Sequence, residues 1–173
     1  MERRVIQVLV CGANPFMREG IVSNLTGQGG IEVVGQVSNR LELMEFVHKF
    51  NPDVVILTED SGNGTGISET INLIHHEASE TKVLMLTKQY DEDRELSLLR
   101  IGVLGFLTEN TQGINIIKCV EAIDRGEMWV RRRVLEKCVR QLSVLDNSNK
   151  AIGNEKSNGA CPPLNLPEEK FRL

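Results

Sequence analysis

Thr58 closes the most legible strand of this chain, the apolar run Val54-Val55-Ile56-Leu57 that follows the turn Asn51-Pro52-Asp53. In an open α/β sheet, ligand chemistry gathers just beyond the carboxyl ends of the strands, so the residues leaving each strand decide what the edge can do. Here they are Gly12 and Ala13 after the first strand, Thr58 after the third, Thr87 after the fourth and Glu109 after the fifth. This set offers hydroxyls with no base beside them, and nothing local activates the Thr58 hydroxyl as a nucleophile. Glu59 and Asp60 follow directly. A one-residue slip to bring a carboxylate to the strand end would turn the buried faces over, and a two-residue slip would draw Pro52 into the sheet. Asp60 is therefore assigned to the loop.

Other chemistry-bearing residues are scattered. Cys11, Cys119, Cys138 and Cys161 show no C-x-x-C or metal-ligand spacing and read as small hydrophobes, with Cys161 in a polar tail. His75 and His76 are adjacent, so on a helix they point about 100° apart and do not chelate together. The glycine-rich stretch Gly62-Asn63-Gly64-Thr65-Gly66 lacks a Walker lysine, and no G-x-G-x-x-G follows the first strand. A nucleotide- or flavin-binding enzyme is thus the weaker alternative. Arg131-Arg132-Arg133, with Lys137 and Arg140, form the one basic cluster. It reads as a solvated helix end, with contact to an acidic partner or nucleic acid as the alternative.

The elements that must position these residues alternate in type. Strand runs at Val5–Cys11, Ile31–Val37, Val54–Leu57, Lys82–Thr87 and Val103–Leu107 are separated by helical patterns with short breaks, which predicts a doubly wound parallel sheet. Asn14-Pro15 opens the first helix, which carries Phe16, Ile21, Val22 and Leu25. Ser38 is the expected cap of a second helix bearing Leu41, Met44, Phe46, Val47 and Phe50. Further helices are expected at Ile67–Glu77, Asp93–Arg100 and Thr111–Asp124, the last with Ile116, Ile117, Val120 and Ile123 on one side. Val130–Leu145 shows Leu135, Cys138, Leu142 and Leu145 at the three-and-four spacing of a helix seam.

Composition excludes several classes. With 173 residues, the chain suits one domain plus an appendage; 40% hydrophobic and 25% charged residues are ordinary for a globular protein. Aromatics make up only 4%, so the core must rest on Val, Ile and Leu. A net charge of -4 argues against whole-chain affinity for nucleic acid. No apolar run approaches the ~20 residues needed to cross a bilayer. Met1-Glu2-Arg3-Arg4 leads into a strand rather than a signal-peptide core, so a cytoplasmic location is expected.

Taken in order, several motifs resemble a response-regulator receiver domain of the kind fused to a helix-turn-helix in NarL/LuxR-type transcription regulators. They are Val8-Leu9-Val10, Asn14-Pro15 with Arg18-Glu19-Gly20, Ile31-Glu32-Val33-Val34-Gly35, Pro52-Asp53-Val54-Val55, Val83-Leu84-Met85-Leu86-Thr87, Gly102-Val103-Leu104-Gly105-Phe106-Leu107 and Ala122-Ile123-Asp124-Arg125-Gly126-Glu127. The resemblance covers residues 4 to about 142. It implies a flavodoxin-like α/β fold, a five-stranded parallel sheet in the order 2-1-3-4-5 with an added C-terminal helix. Receivers of this kind accept a phosphoryl group on an aspartate ending the third strand. Carboxylates after the first strand hold Mg²⁺, and a lysine pairs with the phosphate. At the matching positions stand Thr58 for the acceptor, Gly12 and Ala13 for the acidic pair, and Glu109 for the lysine. Thr87 and the aromatic Phe106, which the family uses to couple phosphate to a distant face, are retained.

The expectation is thus a degenerate receiver with no catalysis, no metal and no cofactor. Gly12, Ala13, Thr58 and Thr87 should line a shallow, nearly neutral cavity with Glu109 and Glu59 at its rim, and Gly62-Asn63-Gly64 should form a flexible loop beside it. Residues 1–126 are assigned to the receiver-like domain, 127–145 to a helical extension, and 146–173 to a tail rich in Asn, Ser, Gly and Pro. A homodimer is expected through some surface, and the seam of Leu135, Cys138, Leu142 and Leu145 should either pack against the domain or pair with its copy in that dimer. Signals would enter through a protein partner or a small ligand, and DNA would be contacted only through a domain beyond Leu173. A stand-alone interaction module is the other reading.

Overall fold

The computed structural model describes residues 4–27, 29–62 and 66–152, with side chains described to residue 142. Five strands alternate with helices: β1 Ile6–Cys11, α1 Pro15–Leu25, β2 Ile31–Val37, α2 Arg40–Phe50, β3 Val54–Thr58, α3 Ile67–Glu77, β4 Lys82–Thr87, α4 Glu92–Arg100, β5 Val103–Thr108, α5 Gly113–Asp124 and α6 Arg132–Ile152. A 3-10 turn, Glu59–Gly62, leaves β3. All strand pairs are parallel, and the sheet order is β2-β1-β3-β4-β5, as expected. The order reverses between β1 and β3, which puts their carboxyl ends side by side at the crevice where such sheets carry their sites.

The core follows from strand alternation. Side chains two apart share a face, so Val8, Val10, Val54, Ile56, Leu84 and Leu86 pack toward α1 and α5, with Ile21, Leu25, Ile116, Val120 and Ile123. Leu9, Cys11, Val55, Leu57, Val83 and Met85 occupy the other face with Leu43, Val47, Ile71, Ile74 and Leu98 from α2, α3 and α4. Every residue of β3 is buried, which explains why its sequence is a continuous apolar run rather than an alternating one.

Local chemistry sets the helix ends. The Asn14 side chain accepts from the Phe16 and Met17 amides at 3.0 and 3.3 Å, and Pro15 occupies the first helical position where its missing N–H costs nothing. The second helix departs from expectation. Asn39, not Ser38, is its cap, accepting from Glu42 N at 3.1 Å, while the Glu42 carboxylate reaches back to Ser38 N at 2.9 Å. The two residues split a capping box. Its buried face is Leu43 and Val47, whereas Leu41 is 74% exposed; Phe16 on α1 is likewise 82% exposed.

After α5 the chain returns to the sheet. Trp129 N donates to Leu104 O at 2.8 Å and Phe106 N donates to Trp129 O at 3.0 Å, a parallel bridge on the outer edge of β5. Val134, in the first turn of α6, is fully buried. The compact unit therefore runs to Cys138, and a second unit begins at Val139. The sixth helix also extends to Ile152, past Leu145, into the stretch assigned to the tail. Asp146 to Ile152 contain neither proline nor glycine, so nothing in them stops a helix already begun. Asn63, Gly64, Thr65, Cys161 and the Pro162-Pro163 pair lie outside the described residues.

Candidate functional site

Thr58 is 1% exposed, and its hydroxyl sits against Cys11 O at 3.3 Å and Ser61 Oγ at 3.1 Å. Ser61 Oγ in turn donates to the same Cys11 carbonyl at 2.7 Å. Gly12 is buried against this hydroxyl: a Cβ at position 12 would run into Thr58 Oγ1. The glycine and the threonine therefore depend on each other. A β-branched side chain fills the strand end because the neighbouring residue has none.

The largest difference from expectation is Asp60. It lies in the 3-10 turn beyond β3, yet its carboxylate folds back over the strand end. It accepts from Ala13 N at 3.2 Å, from Asn14 N at 2.9 Å and from the Thr58 hydroxyl. The site is thus not neutral; it carries a charge supplied from two residues along the chain. Burial works to raise the Asp60 pKa, but the Thr58 hydroxyl and the Asn14 and Ala13 amides outweigh it and leave the carboxyl below its ordinary range. The start of α1 adds a favourable dipole. Arg18 clasps the same loop from the other side, donating to Gly12 O and, at 3.2 Å, to Ala13 O.

This arrangement has a pH signature. A folded-state pKa below the unfolded value contributes stability that is present above the ordinary carboxylate range and is lost as pH falls through the folded value. Asp60→Ala is expected to destabilise the domain by about 1–3 kcal/mol at pH 7, the scale of charge-assisted hydrogen bonds. The difference from the parent should shrink as the solution is acidified. Urea denaturation across that pH range tests this, and a penalty that stays constant into acid would contradict the assignment.

The remaining expected residues are placed apart. Thr87 is 3% exposed and its hydroxyl donates to Leu107 O at 3.3 Å, across to β5. Phe106 is 2% exposed and lies in the core half shared with Leu98, Val103 and, at its margin, Val130. Glu109 anchors its backbone to Thr87 O at 2.9 Å, but it lines a separate groove of about 290 Å³ between α1 and α5 with Asn14, Phe16 and Ile116. Glu59 does not sit at the rim. Its carboxylate accepts from Lys88 N at 2.9 Å and pairs with Arg94 on α4, so it ties the loop after β3 to the loop after β4.

The donor set does not suit Mg²⁺. Gly12 and Ala13 supply no side-chain oxygen, and the Asp60 oxygens are engaged by two amides and a hydroxyl. Among the described residues there is no group of three or more His, Cys, Asp or Glu able to hold a metal ion. Mg²⁺ with one or two carboxylates needs those oxygens open to it.

Residues 8–121 match the response regulator receiver domain. This chain belongs to that family. Among its relatives, the transcriptional regulatory protein LiaR of Bacillus subtilis is 27% identical over 138 residues, covering 80% of this chain and 65% of LiaR. DegU of Brevibacillus brevis, also a transcriptional regulatory protein, is 25% identical over 150 residues, covering 87% and 63%. The chain therefore spans less than two thirds of the length of these relatives. The signal receiver domain of NarL from Mycobacterium tuberculosis superposes with a TM-score of 0.66 at 24% identity, over 72% of this chain and 99% of that one. A LuxR-family two-component response regulator from Aurantimonas gives 0.69 at 18% identity, over 80% and 99%. As a receiver, this chain keeps the fold of the family at its site edge while filling that edge with Thr58, Ser61 and Asp60.

Sequence reasoning missed two things about this receiver. The first is the return of Asp60, for which the only signal was a carboxylate two residues past the strand followed by Ser61. The second concerns the basic cluster, which is not simply a solvated helix end. Arg131 pairs with Glu95 at 3.0 Å, Arg132 with Glu136 at 2.9 Å, and Lys137 with Asp93. No helix among the described residues is long and apolar enough to cross a membrane.

Proposed function

We propose that this receiver is a pseudo-receiver, the regulatory module of a LuxR-type transcription regulator that works without aspartyl phosphorylation. The observation that carries this reading is the Asp60 carboxylate held by Ala13 N, Asn14 N and the Thr58 hydroxyl. Where the family places an acceptor and a metal, this chain places a hydroxyl bonded to its own carboxylate. Signals then enter through protein contact, dimerisation or a small ligand, and the domain performs no catalysis. DNA contact belongs to a part of the regulator outside these 173 residues. The seam of Leu135, Cys138, Leu142 and Leu145 is the surface assigned to a homodimer; Leu142 is 58% exposed, and the Leu145 side chain lies outside the described set.

Incubation with acetyl phosphate and Mg²⁺, followed by intact-mass measurement, tests the reading. No phosphoryl adduct is expected, and Mg²⁺ at low millimolar concentration should leave the melting temperature unchanged. A phosphoryl adduct mapped to Asp60 or Thr58, or saturable stabilisation by Mg²⁺, would overturn it.

A further inference from the structure

Glu109 follows β5, and its half-buried side chain lines the groove between α1 and α5, apart from the Asp60 site. Among the described residues its carboxylate pairs with no cation and accepts no hydrogen bond. The groove has a volume of about 290 Å³, at the low end for small-molecule sites. It reaches down to the sheet, since Ile21, Leu86 and Ile116 form an apolar floor and are only 2%, 1% and 5% exposed. Phe16, 82% exposed, adds an aromatic wall. Asn24 lines the groove as well. Its side-chain nitrogen donates to Gly20 O at 2.8 Å, which leaves Oδ1 as a second acceptor. A Cβ at position 113 would run into that oxygen, so a glycine at the start of α5 is what lets the two helices approach here.

The groove therefore joins an apolar floor to a full negative charge, and among the described residues no Lys, Arg or His lines it. The start of α5, where Gln112 makes no side-chain cap, pulls the other way, toward an anion. A helix start carries only about half a positive charge, against the whole charge of a carboxylate. Glu109 decides the sign. We propose that this groove is a binding site for a small amphiphilic amine, with its ammonium on Glu109 and Asn24 and its apolar body on Ile21, Leu86 and Ile116. An ammonium brings three donors and no acceptor, which suits a carboxylate beside an amide oxygen. The Phe16 ring offers its face to the same cation. The ligand class deepens the pseudo-receiver reading, in which a small molecule is one of the inputs, and rests on it for the signalling role alone. The two fail separately: a phosphoryl adduct would end that reading and leave amine binding intact, whereas absent amine binding would leave the phosphorylation result untouched.

Phenethylamine, with one ammonium and a short apolar body, is the probe. Titrated into the ¹⁵N-labelled 173-residue chain at neutral pH, it is expected to shift the amide signals of Phe16, Glu109 and Ile116 saturably. A Kd in the millimolar range or below is what a ligand of about nine non-hydrogen atoms allows. 2-Phenylethanol, which lacks the charge, and 3-phenylpropionate, which reverses it, should bind at least about ten-fold more weakly. Glu109→Gln should weaken phenethylamine about ten-fold and bring it level with the alcohol. Phe16→Ala should weaken it about three-fold, and because that side chain is exposed, this variant decides should Glu109→Gln fail to fold. No saturable shift with phenethylamine overturns the site, as do shifts confined to residues outside the groove. Equal or tighter binding of the alcohol or the carboxylate overturns the ligand class, and so does an unchanged Kd in the Glu109 or Phe16 variant.

Discussion

Arg131→Ala is expected to destabilise the compact unit by about 2–3 kcal/mol at pH 7, somewhat below the ~3–5 kcal/mol typical of breaking a fully buried pair. The reduction reflects Arg131 itself, whose side chain is 33% exposed while that of its partner Glu95 is 2% exposed. Removing the guanidinium leaves a desolvated carboxylate with no countercharge and also strips the cation from the Tyr90 ring. Burial already holds the Glu95 pKa above its ordinary value, against the pull of Arg131, and losing Arg131 must raise it further. A raised folded-state pKa contributes stability that is present in acid and is lost as pH rises through that value. The penalty of Arg131→Ala should therefore grow from acid to neutral pH, the same sense as Asp60→Ala although the two carboxyls are shifted in opposite directions. Arg131→Lys should recover only part of it, since an ammonium replaces a two-pronged fork with a point charge. Urea denaturation of parent and variants at several pH values measures this. A penalty below about 0.5 kcal/mol, or one independent of pH, would show that the pair does not hold the root of α6.

Restoring an acid after β1 is expected to damage the domain rather than revive it. Gly12→Asp should cost about 2–4 kcal/mol, because its Cβ meets Thr58 Oγ1 and its carboxylate enters a site already holding that of Asp60. Thr58→Ala in the same chain removes the obstructing hydroxyl, so the cost of Gly12→Asp should fall by about 1–2 kcal/mol in that background. Thermal or urea unfolding of the four proteins of this cycle gives the coupling. Additive effects would mean that Gly12 and Thr58 were replaced independently. The expected non-additivity would show that Gly12 and Thr58 depend on each other, since a side chain at position 12 needs the space that the Thr58 hydroxyl fills.

Much of the architecture was legible because it rests on local rules. Alternating strand and helix patterns, Asn14-Pro15 at the start of α1 and the unbroken apolar run of β3 each point to one element type, and neighbours in sequence decide them. The errors lie where two plausible local choices compete. Ser38 and Asn39 are both good caps, and the geometry of Glu42 divided the roles between them. Of the apolar residues on the second helix, Val47 turns inward together with Leu43, while Leu41 faces solvent. The heptad reading of α6 named Leu135 and Cys138 but passed over Val134, whose burial depends on the Trp129 bridge and not on any repeat within the helix.

The site was legible only as a set of missing groups. Gly12, Ala13, Thr58 and Glu109 could be placed at one edge by topology, but topology does not say which neighbour fills a vacated position. Asp60 does so through a tight turn whose direction no propensity encodes. Glu95 and Arg131 stand 36 residues apart, and Asp93 and Lys137 stand 44 apart, so their pairing appears only once the chain has returned to β5.

Trp129 is the chain's single tryptophan, and its backbone is stitched to both Leu104 and Phe106. Its intrinsic fluorescence is therefore a one-site optical signal from the strip of chain lying between β5 and the root of α6. Emission measured on the unlabelled protein follows the exit of the chain from the domain, whereas far-ultraviolet dichroism follows the helices as a whole. Divergence of the two traces during unfolding would time the detachment of that exit relative to collapse of the fold, in a protein that needs no dye.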